Sequence, residues 1–519
     1  MVLALGLAAC GDSATSVGGS PEPAPSSVPP PAPTEAPAPV PTPAPQAPNS
    51  ARLTHDFPPF DLEPGEEVAS LCVQWTLNNE ESLYVSEVTL SNTGGYHHSN
   101  WFVVPEETFE GPDGYWRCRD RGFGELDAAI AGTVLFAQST QSQIETQTFA
   151  DGAVIKIPPR HKVVTAPHML NVTNRAMIAH LRLTLGMVHP REVEVLLKPF
   201  RLTYYALDIP AGSEARYTAE CDLDSLYQQI AGRPMDMKVY WLLPHYHYLG
   251  NYFRAEIIGG PNDGELLHGI DRFDAEANGK AFDSPVDFTG ATGIRMTCGF
   301  RNPTDEEVGW GIGNQEMCVM LGLADTAVMM DAWVDDDTNT DDGVADGIFR
   351  RSGPCEGLAV PPNAAQVLPT AEEVAGDLYV PEPAAGEADL PPALTCLDIG
   401  PDVEAEAPVT FESIRGTVLP SCNFSACHDA LSPAAGLDLE TDPYDALLSG
   451  VAVGSTTGLP LVVPGDPSGS WLYRLISQCE PVNEVGNAVT SMPRNSPTLL
   501  DPPVVAKVRA WIEAGALDD

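Results

Sequence analysis

Between about Ala51 and Leu358 the chain consists of short runs of β-branched, aromatic and aliphatic residues broken by Gly, Pro, Asn and Asp, with little sustained helical periodicity. Leu83-Tyr84-Val85-Ser86-Glu87-Val88-Thr89-Leu90, Glu192-Val193-Glu194-Val195-Leu196-Leu197 and Lys238-Val239-Tyr240-Trp241-Leu242-Leu243 are representative, and each predicts a strand. Roughly 300 residues of this kind predict two packed antiparallel β-sandwiches rather than one, over 51–210 and 211–360. A chain of 519 residues is in any case too long for a single core.

The flanks differ in composition. Met1 to Ala9 is a short apolar run closing on Leu7-Ala8-Ala9-Cys10, which resembles a bacterial lipobox and makes Cys10 a candidate lipidation site. The run lacks a positive leading segment, as expected if the true start lies further upstream, the alternative being that the lipobox match is accidental. It is too short to span a bilayer and no other run reaches that length, so a lipid anchor is the only membrane attachment expected. Residues 11–50, with thirteen prolines between Pro21 and Pro48, cannot build a core and read as an extended tether. A second acidic, Pro- and Ala-rich stretch over 361–408 reads as an interdomain linker. Beyond it, Asp501-Pro502-Pro503-Val504-Val505-Ala506-Lys507-Val508-Arg509-Ala510-Trp511-Ile512 has Pro at a helix start and Val504, Val505, Val508, Trp511 and Ile512 on one face, which predicts a small helical domain over 409–519.

The formal charge of -45 disfavours binding to nucleic acid or to anionic lipid and suits solubility outside the cytoplasm. With eleven cysteines in a secretory setting, disulfides are expected. Setting aside Cys10, Cys422 and Cys427 leaves eight, an even number, with Cys298 and Cys318 flanking a candidate hairpin as the best single pair. The expected location is that of a secreted bacterial lipoprotein, in the periplasm, at the outer membrane or on the cell surface.

Two histidine pairs carry the chemistry. In Tyr96-His97-His98-Ser99 the imidazoles are adjacent, so in a regular strand they would face opposite ways, and joint ligation needs a bend or bulge. In His245-Tyr246-His247 the spacing of two puts both rings on one face. Imidazole suits copper and zinc, and an added thioether favours copper, Cu(I) in particular. These pairs, with Pro167-His168-Met169-Leu170-Asn171 between them and Asn314-Gln315-Glu316-Met317-Cys318 after them, resemble the type II copper, ascorbate-dependent monooxygenases, the family of dopamine β-monooxygenase and peptidylglycine α-hydroxylating monooxygenase.

The resemblance covers about Ala51 to Leu358 and implies two coppers per chain, facing each other across a solvent-filled cleft between two jelly-roll-like domains. It assigns His97, His98 and His168 to an electron-relay copper, with His161 and His180 as nearby alternatives to His168, and His245, His247 and Met317 to an oxygen-activating, catalytic copper. It implies hydroxylation of an activated C–H bond of a small molecule by O2, with ascorbate or another external one-electron donor. Where the peptide-amidating branch holds a substrate carboxylate with Arg and Tyr, this chain has Leu243 and Leu321, so an apolar or aromatic substrate end is expected.

Ser421-Cys422-Asn423-Phe424-Ser425-Ala426-Cys427-His428 places two cysteines before a histidine, the arrangement that attaches haem c through thioethers with His428 as an axial ligand, although four residues rather than two separate the cysteines. Ser491-Met492-Pro493, just before the terminal helix, supplies a candidate axial Met492. The stretch resembles small bacterial cytochrome c-like modules; a Cys422–Cys427 disulfide is the alternative. Asp335-Asp336-Asp337-Thr338-Asn339-Thr340-Asp341-Asp342-Gly343 with Asp346 offers oxygen donors for calcium, or a solvated surface insertion. The whole reads as a copper monooxygenase with a fused haem electron-transfer module; a copper- and haem-binding electron-transfer or scaffold protein is the alternative.

Overall fold

A computed structural model describes residues 50–519 apart from 139–140, 272–278, 312, 364, 382–395, 425–426, 454, 456, 495 and 497. Cys10 and nearly all of the Pro-rich segment lie outside the described residues. The body is mainly β, most strand pairs are antiparallel, and helices gather in the last hundred or so residues. No helix among the described residues is long and apolar enough to cross a membrane.

In the first half, strands Leu83–Asn92, Ala153–Ile157 and Leu181–Val188 lie in an 11-stranded sheet, and Tyr96–Pro105, Thr133–Gln138 and His161–Thr165 in a 7-stranded one. Residues two apart share a strand face. Leu181, Leu183 and Leu185 from the first sheet therefore meet Trp101, Val103 and Val163 from the second in one buried core.

The second half repeats the scheme. Val195–Tyr204, Lys238–His245, Val319–Asp325 and Met329–Val334 continue the 11-stranded sheet, while Glu214–Asp222, Gly250–Ile258 and Gly293–Arg301 belong to a 6-stranded one. Tyr217, Ala219, Cys221 and Phe253, Ala255, Ile257 alternate into a second core with Leu202, Leu242 and Met320. This core begins at Phe200, ahead of the boundary expected near residue 210, because Val195–Tyr204 pairs along most of its length with Val319–Asp325. The two halves share one sheet through the parallel pairs Ala153 with Val195 and Val154 with Leu196.

The eight remaining cysteines form four disulfides: Cys72–Cys118, Cys221–Cys355, Cys298–Cys318 and Cys396–Cys479. Cys298–Cys318 was the pair expected, but its setting differs. Cys298 belongs to the 6-stranded sheet and Cys318 abuts a strand of the 11-stranded one, so the bond staples two layers rather than closing a hairpin.

Part of the expected linker is a strap packed on the first half. Gln366 Nε2 donates to the Lys156 carbonyl (3.0 Å), Lys156 Nζ to the Val367 carbonyl (2.9 Å), and Tyr84 Oη to Glu373 Oε1 (2.8 Å). A short helix, Ala371–Ala375, starts in a Thr370/Glu373 capping box. Composition hid this, because a few anchoring side chains suffice to pin a polar segment.

The C-terminal helices Phe411–Thr417, Pro443–Ser449, Trp471–Ser477 and Pro502–Glu513 enclose a third core. On the last of these the predicted face is buried: Val504, Val505, Val508, Trp511 and Ile512. Lys507 is buried with them, its ammonium held by Ser413 Oγ (2.9 Å), Thr417 Oγ1 (3.3 Å) and Glu406 (3.3 Å). This module is docked on the β body. Arg175 reaches Asp501 (2.8 Å), Thr498 Oγ1 (2.9 Å) and the Leu499 carbonyl (3.2 Å), and Tyr248 Oη lies 2.9 Å from the Leu431 carbonyl oxygen.

Candidate functional site

The strand Tyr96–Pro105 contains the irregularity that adjacent ligands require. Its partner His168–Leu170 sets His168 opposite His98 and then Met169 opposite Tyr96, so His97 is the extra residue of a bulge. Both rings swing to one side. The ring centroids of His97 and His98 are 4.6 Å apart, those of His97 and His168 4.7 Å, and those of His98 and His168 5.1 Å. Their ligating nitrogens lie within 4.8 Å of one another, and His168 Nδ1 approaches His98 Nε2 to 3.4 Å. Of the alternatives to His168, His161 is buried elsewhere against the Pro159 carbonyl (2.9 Å), and His180 is not part of the cluster.

The second pair sits where Lys238–His245 ends. Tyr246 and Tyr248 are buried, and His245 and His247, which alternate with them, lie together with ring centroids 5.2 Å apart. The chain turns sharply here and packs Gly250 on the Tyr246 ring, where an added Cβ would stand 2.0 Å from a ring carbon. His247 Nδ1 donates to the Gln315 carbonyl (2.6 Å), which leaves Nε2 as the nitrogen with an available lone pair.

The two sets abut: the His98 and His245 rings are 5.4 Å apart. The family resemblance implied sites separated by a solvent-filled cleft. Here the two sets adjoin instead. Met317 lines a cavity of about 380 Å³ together with His98, His168 and His245.

Burial keeps the imidazoles of His97, His98, His245 and His247 neutral. Burial pushes His97 and His98 well below the ordinary imidazole range, reinforced by neighbouring imidazoles. Burial likewise lowers His247 and takes His245 down to about 3. Neutral imidazoles keep the lone pair that a metal needs. His97 Nδ1 is buried with no hydrogen-bond partner among the described residues, an orphan that coordination would satisfy. Three imidazoles in one set and two imidazoles with a thioether in the other fit copper.

Two carboxylates support the ligands, and their roles were not read from the sequence. Glu67 Oε1 lies 2.7 Å from His168 Nε2, orienting that ring from outside. Glu316 is fully buried and accepts the backbone N–H groups of His247 (2.8 Å), Leu249 (2.7 Å) and Met317 (3.2 Å), tying both parts of the second set together. Burial drives its carboxyl up to about 8 against the pull of those three donors. The available signal was a lone Glu immediately before two residues that themselves read as functional or structural, Met317 and Cys318.

In the C-terminal module, Cys422, Cys427, His428 and Met492 line one cavity of about 590 Å³ whose walls include Leu437, Leu472 and Ile476. Cys422 and Cys427 are not joined by a disulfide in this structure, and Ser425 and Ala426 between them lie outside the described residues. His428 Nδ1 lies 3.1 Å from the Ala434 and 3.2 Å from the Leu437 carbonyl oxygens, which directs Nε2 away from the backbone, as an axial ligand requires. Burial holds this imidazole neutral, lowered to about 4. Two thiols, a backbone-oriented imidazole and a methionine around an apolar space fit a covalently held haem. The same cavity reaches His97, His98, His245 and His247.

The acidic stretch offers no comparable site. Among the described residues the only group of three or more His, Cys, Asp or Glu side chains close enough to hold a metal is His97, His98 and His168. Asp335 and Asp341 instead accept the backbone N–H groups of Asp337 (3.0 Å) and Gly343 (2.8 Å) in their own turns.

No family model matches the chain, and no curated protein matches it. Solved structures with some likeness include the major capsid protein P2 of bacteriophage PM2, at 7% identity and TM-score 0.25 over 53% of this chain and 98% of that one. PBCV-1 VP54, fitted into a reconstruction of the virophage Sputnik, is 7% identical with TM-score 0.22 over 54% of this chain and 95% of its own. The PBSX exported protein XepA is 9% identical with TM-score 0.14 over 52% and 86%. Superpositions this poor place no constraint on function.

Proposed function

We propose that the chain is a copper-dependent monooxygenase of the type II, ascorbate-dependent kind, built on two jelly-roll-like domains and carrying a cytochrome c-like module. The observation that supports it most is that the cluster of His97, His98 and His168 adjoins the His245/His247 pair, and that His98, His168, His245 and Met317, drawn from four separate segments, line one cavity large enough for a small molecule. Copper at such sites supplies one-electron redox chemistry and oxygen activation, and haem in the module supplies single electrons. The residues do the rest. His245 and His247 offer neutral nitrogens from one strand end, Met317 adds a soft donor suited to Cu(I), and Glu316 holds the backbone of both segments. Leu243 and Leu321 furnish an apolar wall beside them.

Reconstituted protein is expected to bind two coppers per chain, and Met317→Ile to keep the copper held by His97, His98 and His168 while losing oxygen consumption supported by ascorbate or another one-electron donor. One copper or none in the unmodified protein overturns the reading. Two coppers without substrate-dependent oxygen uptake would favour an electron-transfer or scaffold role.

A further inference from the structure

The cavity beside Met317 has a floor that can be read row by row. Register places Leu243 opposite Leu321, Leu321 opposite Arg201, and Arg201 beside Asp331, so these four side chains form one row across four neighbouring strands. Two residues along, His245, Val319 and Thr203 form the next row on the same face. With strands about 4.8 Å apart, Arg201 stands only two strands, on the order of 10 Å, from the column that carries His245. All of Leu243, Leu321, Arg201 and Asp331 line the cavity.

A lone arginine there would make an anion site. It is not alone. Arg201 Nε and Nη2 fork onto Asp331 at 2.8 and 2.7 Å, a paired geometry that occupies the guanidinium edge, and Asp331 is itself buried. Besides the ligand imidazoles His98, His168 and His245 and the Tyr205 phenol, the other ionisable group on the lining is Glu125, held by Asn100 Nδ2 at 3.1 Å, and it is acidic. It heads the helix Glu125–Ala131, whose Leu126 and Ile130, 39% and 41% exposed, give the lining an apolar, solvent-facing edge. Without metal, the lining's one guanidinium is compensated, its His98 and His245 imidazoles are neutral and His168 meets Glu67, so burying a carboxylate in the copper-free cavity would leave that charge unpaired.

We propose that this cavity takes an uncharged, mainly apolar organic molecule and rejects organic anions, with the Arg201–Asp331 pair as the element that sets this preference. The assignment of that molecule as substrate rests on the monooxygenase reading; the ligand class rests on the cavity alone. Arg201 and Asp331 lie outside both ligand sets, so their effect is on what binds, not on how metal is held.

Three probes of matched size test this on the copper-free full chain by calorimetry: 2-phenylethanol, 2-phenylethylamine and phenylacetate. The neutral alcohol should bind tightest and phenylacetate weakest. Asp331→Asn, which keeps the shape and releases Arg201, should raise phenylacetate affinity about tenfold while changing the alcohol little. Tighter binding of phenylacetate or phenylethylamine than of the alcohol by the unmodified protein overturns the proposal, and this ranking stands even where the variant does not fold. An anion affinity unmoved in a folded Asp331→Asn protein removes the role given to the pair. Copper titration of the same samples separates the two levels: the neutral preference without copper binding sinks the monooxygenase reading alone, whereas two coppers with an anion preference sinks only this one.

Discussion

The two ligand sets are supported by carboxylates in opposite ways. Glu67 is partly exposed, 41% by side chain, and touches one imidazole; Glu316 is fully buried and touches no imidazole, only backbone. The first set is assembled across strands, and the bulge at His97 does the positioning, so its carboxylate needs only to orient a ring. The second set joins a strand end to a loop some seventy residues away, and the carboxylate is what joins them. One acts on ligand basicity, the other on ligand placement.

Removing Glu316 should therefore have the largest effect. Glu316→Ala leaves three backbone N–H groups without their acceptor, and a loss of about 3 kcal/mol or more is expected, each unsatisfied buried group costing about 1–3 kcal/mol. Urea unfolding measures it, and a loss below about 1 kcal/mol would mean that the loop is held by something else. Glu67→Gln should instead leave stability within about 0.5 kcal/mol and weaken copper at His97, His98 and His168 by about tenfold. A competing chelator reads that affinity; equal affinity in the two proteins would erase the contrast between the carboxylates.

A carboxylate outside both sets provides the smallest effect and a baseline. Glu373, held by the Thr370 backbone, Tyr84 and Lys156, is lowered to about 2 although burial opposes this. Its folded value lies below the ordinary unfolded value of about 4.3, so the stability it adds is complete above that value and is lost as pH falls toward 2. Unfolding curves of the unmodified protein and Glu373→Gln should differ at neutral pH and converge as pH falls toward 2. A constant gap across that range would show that the strap is held without this charge.

What the sequence disclosed follows the range of the interactions. His245 and His247 could be placed together because a spacing of two is a local property of a strand. The choice of His168 over His161 and His180 depended on cross-strand register, which no local pattern carries. The apolar face of Pro502–Glu513 was legible from its period, whereas Lys507, buried on the same helix, was not, since its partners Ser413 and Glu406 lie roughly a hundred residues away. The strap over 366–380 reads as linker by composition and is pinned by contacts more than two hundred residues distant in the chain. The supporting carboxylates escaped notice for the same reason: acidic residues are abundant in this chain, and only position distinguishes two of them.

The Cys298–Cys318 staple has a bearing on biogenesis. Met317 immediately precedes Cys318, and Glu316, which gathers the His247 and Leu249 backbone, precedes both. The soft ligand is therefore carried on a segment fastened between sheets by an oxidative cross-link. On the proposed copper reading, oxidation of these two thiols is expected to precede metal loading, because the cross-link fixes the segment that carries Met317.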